Sequence, residues 1–532
     1  MIMSAFDLDF EAAIARLAVA LITLWLAWKV WSFLKPREQH SLRSVAIVVL
    51  GDIGRSPRMM YHAESFAEND FFTEVIGYGG SAPIPSLERP RVKIRYLPDP
   101  PRLHFFPFIV SAPIKVVLQL LYIFVELFTI PNPPEFILVQ NPPSIPTLAI
   151  VWLVARIRGC KVIIDWHNLG YSILAMRFPK QGERHPLVRV AKWFERTFGR
   201  TAYAHLFVTV AMRDFLVKEW DLQGIKVVLH DRPPARFHQS TPQGIHELFV
   251  RKLEKSLSTQ PALRGFLPPS NPPYSSAFTT TSGPASTSTS PPPPTSALDS
   301  IYAEVKAPSL RPDRPALLVS STSWTPDEDF SILLAALGAY DARAAASPRG
   351  TLPKVLVILT GKGPLREKYM KEVGELQKKW KWVRCVSMWL EAEDYPVLLG
   401  AADLGICLHV SSSKLDLPMK VVDMFGCALP VCALDFDCLD ELVKNGKNGL
   451  IFKDAEQLSE QLETLLVGFP NCPRLAELRS YLRPTGDRPT SPPNLPPSHE
   501  LSEDVWESWD ANWARHVRPL ILRDVRRNEP TT

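Results

Sequence analysis

Short apolar runs that end in polar tips recur along this chain, and no other feature narrows the fold as far. SVAIVVL runs into Gly51 and Asp52, FILVQ into Asn141, KVIID into Trp166, His167 and Asn168, HLFVTV into Ala211, Met212 and Arg213, and KVVLH into Asp231. Helical stretches such as IPTLAIVWLVARIR and HPLVRVAKWFERTFGRTAY fall between them. This β-α alternation predicts a parallel sheet covered on both faces over residues 44–236. Ligands bind beyond the carboxyl ends of such strands, so the polar tips are expected to line one cleft. The pattern restarts at ALLVSSTSW (Ala316 onward) and runs through KVLVILTGKGP, WVRCVSMWL, DLGICLHV and VCALDF, which predicts a second β-α domain over 316–483.

A chain of 532 residues with 46% hydrophobic content can fill two cores. A net charge of +5 without any basic block suits an anionic substrate or a lipid surface and speaks against nucleic acid. Seven cysteines without a C-x-x-C pair argue against a disulfide framework or a zinc site and fit a reducing compartment.

Three stretches lie outside the two domains. Ala12 to Leu34 is long and apolar enough to cross a bilayer, with Trp25, Trp28 and Trp31 toward one interface. A cleaved signal peptide would have a basic head and a small-residue cleavage site, and neither is present, so an uncleaved anchor over 12–34 is expected. Lys35, Arg37 and Arg43 then place the remainder on the cytosolic side. Residues 237–315 hold one short helix, HELFVRKLEKSL, followed by Pro/Ser/Thr low complexity, and read as a largely disordered insertion that a shorter linker would replace. After a Pro-rich linker at 484–500, Leu501 to Leu522 reads as one last helix whose Trp506, Trp509 and Trp513 form a packing stripe.

Phe105 to Ile130 is apolar apart from Lys115, Gln119, Tyr122 and Glu126, which recur as one narrow polar stripe. A second membrane span would strand Lys115 and Glu126 in lipid, and a buried crossover helix is the other alternative. The preferred reading is a helix seated in the cytosolic membrane surface.

The stretch His409 to Val431 is a strand-loop-helix connection with Pro418 in the first turn of its helix. A phosphate is expected against Ser411, Ser412, Ser413 and Leu417 to Met419, with Lys420 adding full charge. Gly51 and Gly54 follow the first strand and allow close approach of a ligand to the backbone. Asp165 stands beside His167 and can orient its ring.

SSSKLDLPMKVVDMFGCALPV, WTPDEDFSILLAAL, TGKGPLREKY, WLEAEDYPVLLGAADLGICLH, DWHNLGYSI and GDIGRSPRM together resemble the chitobiosyldiphosphodolichol β-mannosyltransferases. The resemblance spans nearly the whole chain except about His238 to Val305 and the tails, and it departs at Lys414, where the family usually has Gly. It implies an α/β GT-B fold with two Rossmann-like domains facing a cleft, preceded by the N-terminal transmembrane helix, and a last helix crossing back to the N-terminal domain. The reaction implied moves mannose from GDP-mannose to dolichyl-diphosphate chitobiose at the endoplasmic reticulum membrane, with no tightly bound cofactor, divalent-ion dependence left open, and other lipid-linked oligosaccharide transferases as partners.

The resemblance also distributes roles. Gly51, Gly54, Arg55 and Arg58 face the acceptor; Gly361, Lys362, Gly363, Asp416, Lys420 and Asp423 bind the donor, with Asp423 on the ribose; Trp389 and Tyr395 lie at the nucleobase. The catalytic group comes from Asp52, His167 and Asp165, with Asp52 favoured over His167 as the base and Asp165 orienting His167. A retaining enzyme of the same fold carries E-x7-E, but Leu415 and Asp423 stand at those positions here. A catalytically silent scaffold that binds the lipid intermediate is the other alternative, disfavoured by Asp52, His167, Lys420 and Asp423.

Overall fold

The computed structural model describes residues 22–26, 28–29, 43–99, 108–281, 307–325, 328–348, 350–411, 413–483 and 506–522. They form two compact units, one of residues up to Leu206 with Val217–Val227, the other of Phe207–Leu216 with everything from Val228 on.

Up to Val228 the chain contains β1 (Ser44–Asp52), α1 (Pro57–Glu68), β2 (Phe72–Tyr78), β3 (Val92–Tyr96), α2 (Phe108–Thr129), β4 (Phe136–Asn141), α3 (Thr147–Arg158), β5 (Lys161–Trp166), α4 (Gly170–Met176), α5 (Pro186–Gly199), β6 (Thr201–Phe207), α6 (Val210–Trp220) and β7 (Gln223–Val228), most of α6 belonging to the second unit and the rest, but for the last residues of β6 and β7, to the first. Its seven strands run in the order β3-β2-β1-β4-β5-β6-β7, and the pairings from β3 to β5 are parallel. Val45 to Val49 and Phe136 to Val139 are buried without alternation, as strands covered on both faces must be. The order reverses between β1 and β4, so their carboxyl ends flank the place where such sheets bind ligands.

Helix α2 carries the polar stripe that the sequence places on it. Its polar stripe turns toward the protein, where Glu126 accepts from Arg95 Nη1 at 3.3 Å, while Val117, Leu121 and Val125 are half exposed on the opposite side. No helix among the described residues is long and apolar enough to cross a membrane. The expected anchor at 12–34 lies outside the described residues except for helical pieces at 22–26 and 28–29.

The second unit begins with α7 (Pro242–Glu247), a π-helical turn (Leu248–Leu253) and α8 (Glu254–Ser258). There follow β8 (Thr279–Thr280), β9 (Ser309–Leu310), β10 (Ala316–Ser321), α9 (Phe330–Ala346), β11 (Val355–Thr360), α10 (Arg366–Leu376), β12 (Val383–Met388), α11 (Asp394–Ala401) and β13 (Leu404–Cys407). The unit ends with α12 (Met419–Gly426), β14 (Val431–Leu434), β15 (Gly449–Phe452), α13 (Ala455–Leu466), α14 (Pro473–Tyr481), α15 (Trp509–His516) and α16 (Arg518–Ile521). Its parallel sheet runs β12-β11-β10-β13-β14-β15. Leu317, Val319, Leu356 and Ile358 enter one core and Leu318, Val355, Val357 and Leu359 the other, the period-two alternation of a sheet with a core on each side.

The expected helix at HELFVRKLEKSL is present, and residues 259–281 after it are folded as well, which corrects the reading of 237–315 as a largely disordered insertion. Ile245, Leu248, Phe249, Leu253 and Leu257 bury one helical stripe, and Leu263, Phe266, Ala277 and Phe278 join it in the core that covers β10 and β11. The low-complexity composition hid this because its few apolar side chains are nearly all buried, Phe278 packing on Phe249 with ring centroids 4.3 Å apart. Arg311 ties the far end back through Pro269 O at 2.8 Å; residues 282–306 lie outside the described residues. The terminal stripe packs as expected, Trp509 and Trp513 being buried, but its helix breaks into α15 and α16. The partners it finds are in the second unit, Asn512 donating to His230 O at 2.7 Å and Trp506 meeting Phe425 edge to face.

Phe278→Ala should lower stability by about 3–5 kcal/mol, the usual result of emptying a buried aromatic site. Urea unfolding followed by fluorescence measures it, and a change near zero would mean that 242–281 is not part of the second core.

Candidate active site

At the carboxyl end of β5, Asp165 is fully buried and collects three partners. Arg58 grips it with two parallel hydrogen bonds, Nε to Oδ2 at 2.8 Å and Nη2 to Oδ1 at 2.9 Å. His62, one turn further along α1, lies 3.2 Å from Oδ2, and His167 Nε2 lies 2.7 Å from the same oxygen. Desolvation works to raise the Asp165 carboxyl, but the Arg58 guanidinium and the His167 and His62 hydrogen bonds outweigh it and hold it well below the ordinary carboxylate range. Asp165 is therefore ionised and accepts only, so Nε2 of His167 carries a proton, and in the neutral ring Nδ1 is the nitrogen with the lone pair. His167 is the exposed member of the array, its side chain 21% accessible. Its main chain is fixed by a bond from its amide to Asn141 O at 2.8 Å.

Arg58 was expected at the acceptor, but it is buried and committed to Asp165. Arg55 remains exposed beside it in sequence. Asp52 sits at the tip of β1 with its carboxylate accepting from Gly54 N at 3.1 Å, Ser81 N at 3.0 Å and Ser81 Oγ at 2.8 Å. Desolvation would raise this carboxyl, yet the Ser81 and Gly54 hydrogen bonds prevail and lower it. That makes Asp52 a fastener between the 51–56 and 79–82 loops and a weaker proton acceptor. Gly54 serves the same junction, since a Cβ there would come within 2.5 Å of Ser81 O, while Gly51 has open space around it.

In the second unit the loop before α12 is organised around Asp416. Ser411 and Ser413 both donate their hydroxyls to its Oδ1, the latter at 2.9 Å, so neither serine presents a free hydroxyl for a phosphate; Ser412 lies outside the described residues. Lys414 has φ +60°, the left-handed region that explains a usual Gly there. Pro418 is the N-cap rather than the first helical residue, Leu417 is buried, and the first amide of α12 to find a carbonyl is Val421 N, on Pro418 O at 2.9 Å. The amides of Met419 and Lys420 thus open the helix. Lys420 extends its ammonium to Glu328, whose side chain is 2% exposed and also accepts from Thr322 Oγ1 and from Ser323 N at 3.0 Å.

Gly361 and Gly363 pack against the turn after β10, where a Cβ would fall within 2 Å of Thr322 O or Ser323 O. Lys362 lies over the ring of the exposed Trp389, Nζ 3.9 Å from its centroid. Tyr395 OH meets Ser321 Oγ at 2.9 Å. Asp423, on the same helix as Lys420, makes no side-chain hydrogen bond among the described residues, and burial pushes its carboxyl up to about 8, with Arg236 opposing the rise and Asp231 adding to it. A carboxyl of that kind suits a pair of vicinal hydroxyls.

Sequence reasoning missed His62, Glu328 and Glu195. The Arg58/His62 spacing of four on one helix was a legible sign of a shared partner. Glu328 and Glu195 gave none, because an isolated Glu reads as solvated. Glu195 is buried and takes Gly170 N at 3.0 Å, Tyr171 N at 3.2 Å and Asn141 Nδ2 at 2.5 Å, so it holds the turn after His167.

Residues 54–231 match the family model described as "Glycosyl transferase 4-like domain" and 317–467 match "Glycosyl transferases group 1". The chain is 42% identical over 523 residues, 98% of its length and 97% of the relative's, to the mouse protein named chitobiosyldiphosphodolichol beta-mannosyltransferase. It is 41% identical to Arabidopsis thaliana UDP-glycosyltransferase TURAN, covering 90% of this chain and 97% of that one. Among solved structures, a sucrose-phosphate synthase from Thermosynechococcus elongatus superposes with a TM-score of 0.55 at 9% identity, over 91% of this chain and 99% of that one. The fold is GT-B, with two Rossmann-like α/β domains.

Two outcomes follow from the charges in the second unit. Lys420→Ala removes the cation from a buried carboxylate and should cost up to about 3 kcal/mol, most of it regained in Lys420→Ala/Glu328→Gln; equal losses in both would show that the pair is not coupled. Asp423 has a folded value near 8 against an ordinary 3.8, so between those values the folded chain keeps a proton that the unfolded chain has released. Its contribution to stability is therefore greatest below pH 4 and falls as pH rises toward 8. Asp423→Asn should flatten that part of the pH–stability curve, and an unchanged slope by urea titration would refute the assignment.

Proposed function

We propose the following reaction for this chain, which belongs to the family of chitobiosyldiphosphodolichol β-mannosyltransferases: mannose passes from GDP-mannose to O4 of the terminal N-acetylglucosamine of dolichyl-diphosphate chitobiose, with inversion to a β-1,4 bond. The chain is thus a mannosyltransferase of dolichol-linked oligosaccharide synthesis. The observation that carries the mechanism is the Arg58–Asp165–His167 array. Inverting displacement needs a base for the acceptor hydroxyl, and His167 Nδ1 offers a lone pair on a ring whose tautomer is held by an ionised carboxylate. Asp165 then stabilises the imidazolium that forms. This favours His167 over Asp52, whose carboxylate already accepts from Ser81 and Gly54.

On the donor side, the departing diphosphate meets the amides that open α12 and the Lys420 ammonium, which exchanges Glu328 for phosphate oxygens. Asp423 takes the ribose hydroxyls, and Trp389 and Tyr395 lie toward the nucleobase. The half-exposed apolar face of α2 supports contact with a lipid surface that carries the acceptor. In this reading the 12–34 segment is a single anchor in the endoplasmic reticulum membrane, the catalytic units are cytosolic, and other lipid-linked oligosaccharide transferases act on the product. The Arabidopsis relative, a UDP-glycosyltransferase by name, supports a second donor reading, a UDP-sugar.

His167→Ala should lower turnover about 100-fold to 10,000-fold with GDP affinity nearly unchanged, and Asp52→Asn by much less. Membranes supplied with GDP-mannose or a UDP-sugar and a dolichyl-diphosphate chitobiose acceptor give the readout. Turnover surviving in His167→Ala, or a UDP-sugar used in place of GDP-mannose, would overturn the corresponding part.

A further inference from the structure

Helix α5 has an outward face that the reaction does not use. Leu187, Val190 and Trp193 are 59%, 57% and 62% exposed, although Val188, Ala191 and Glu195 bury the opposite side of the same helix. Thr197 continues the outward face but turns its hydroxyl into the helix, onto Trp193 O at 2.7 Å. Arg189 and Arg196 border the strip on one edge, and Arg177, Lys180 and Arg184 stand exposed on the approach to the helix. The exposed carboxylate nearby, Glu183, is paired with Lys192 at 2.9 Å. On the other edge, Phe194 packs on Phe198 and Phe198 on Trp152, which carries the apolar surface across to Leu153 and Ile157 of α3, both exposed.

We propose that α5 docks in the plane of an anionic lipid surface, with Leu187, Val190 and Trp193 below the headgroups and the arginines among them. Apart from the Trp193 indole N–H, which suits the headgroup level, the strip offers apolar area without outward-facing hydrogen-bonding side chains, and its border is cationic. Hydrocarbon beneath phosphate has that chemistry, whereas a protein partner would leave the guanidinium border in need of a matched acidic face. Docking here bears on the site directly, because Glu195 on the inner side of α5 holds the turn after His167 through Gly170 N and Tyr171 N. The assignment rests on the reading of a lipid-borne acceptor, and its test does not depend on turnover.

The full chain carrying Val190→Cys, labelled with an environment-sensitive fluorophore, would be reconstituted in vesicles of phosphatidylcholine with phosphatidylserine, beside the same label at Glu456→Cys. The expected result is a blue-shifted Val190 emission quenched by doxyl-lipids and shielded from iodide, with the Glu456 label unaffected. The shift should weaken in Arg189→Gln/Arg196→Gln. Trp193→Glu should reduce turnover of a vesicle-borne acceptor by about 10-fold while sparing a detergent-dispersed one. Val190 emission that ignores lipid overturns the proposal, as does a shift that requires a second protein and no vesicles. A lipid-dependent shift with no turnover of either acceptor would uphold the docking surface and count against the proposed reaction instead.

Discussion

A carboxylate removed wholly from water must be surrounded by donors or give up its charge, and Asp165 dictates the arrangement of the first unit for that reason. Its partners come from two places, β5 itself and the face of α1 that presents Arg58 and His62. Meeting Asp165 fixes the rotation of α1 about its axis, and with it the loop between β1 and α1 that Asp52 fastens to Ser81. Removing Arg58 would leave a buried anion beside two histidines, a change worth several kcal/mol by comparison with other broken buried pairs. The same geometry that keeps Asp165 charged puts a proton on Nε2 of His167, so in the proposed reaction stability and chemistry would rest on one group.

Glu328 plays the corresponding part in the second unit. It follows β10, the strand where the order of that sheet reverses, and is nearly as inaccessible. Thr322, Ser323 N and Lys420 supply its donors. Each unit therefore keeps a buried carboxylate at the carboxyl ends of its strands with one half-exposed basic partner, His167 in the first and Lys420 in the second. Each basic group carries its own counter-ion, so the protonation of one is balanced locally.

Backbone architecture was legible in the sequence because strands buried on both faces are continuous apolar runs, and every run ending in a polar tip from SVAIVVL to VCALDF coincides at least in part with a strand, HLFVTV and KVVLH holding only the ends of β6 and β7. Side-chain commitments were not legible. Arg58, Ser411 and Ser413 looked available for ligands, and all three are taken by carboxylates, Arg58 by one that only folding brings near and the two serines by Asp416 of their own loop. Residues 259–281 were misjudged on composition, since a low density of apolar residues says nothing about whether each one finds a core. For α2 the polar stripe was legible as a period, while periodicity defines two faces without saying which turns inward, and only the fold shows Glu126 meeting Arg95.

Polar satisfaction supplies what periodicity lacks. A polar group at a strand tip is first a group that folding must partner, and most tips here are partnered from within: Asp52 by Ser81, Asn141 by Glu195, Asp416 by two serines. Among the described residues the buried Asn141 Oδ1 and Gln140 Oε1 stay without a hydrogen bond, so an unmade bond does not by itself mark a site. In the proposed reaction Nδ1 of His167, the amides that open α12 and the Asp423 carboxyl would serve as proton acceptor, positive dipole end and receiver of vicinal hydroxyls, three groups that differ in kind and that transfer of a sugar from a nucleoside diphosphate would call for together.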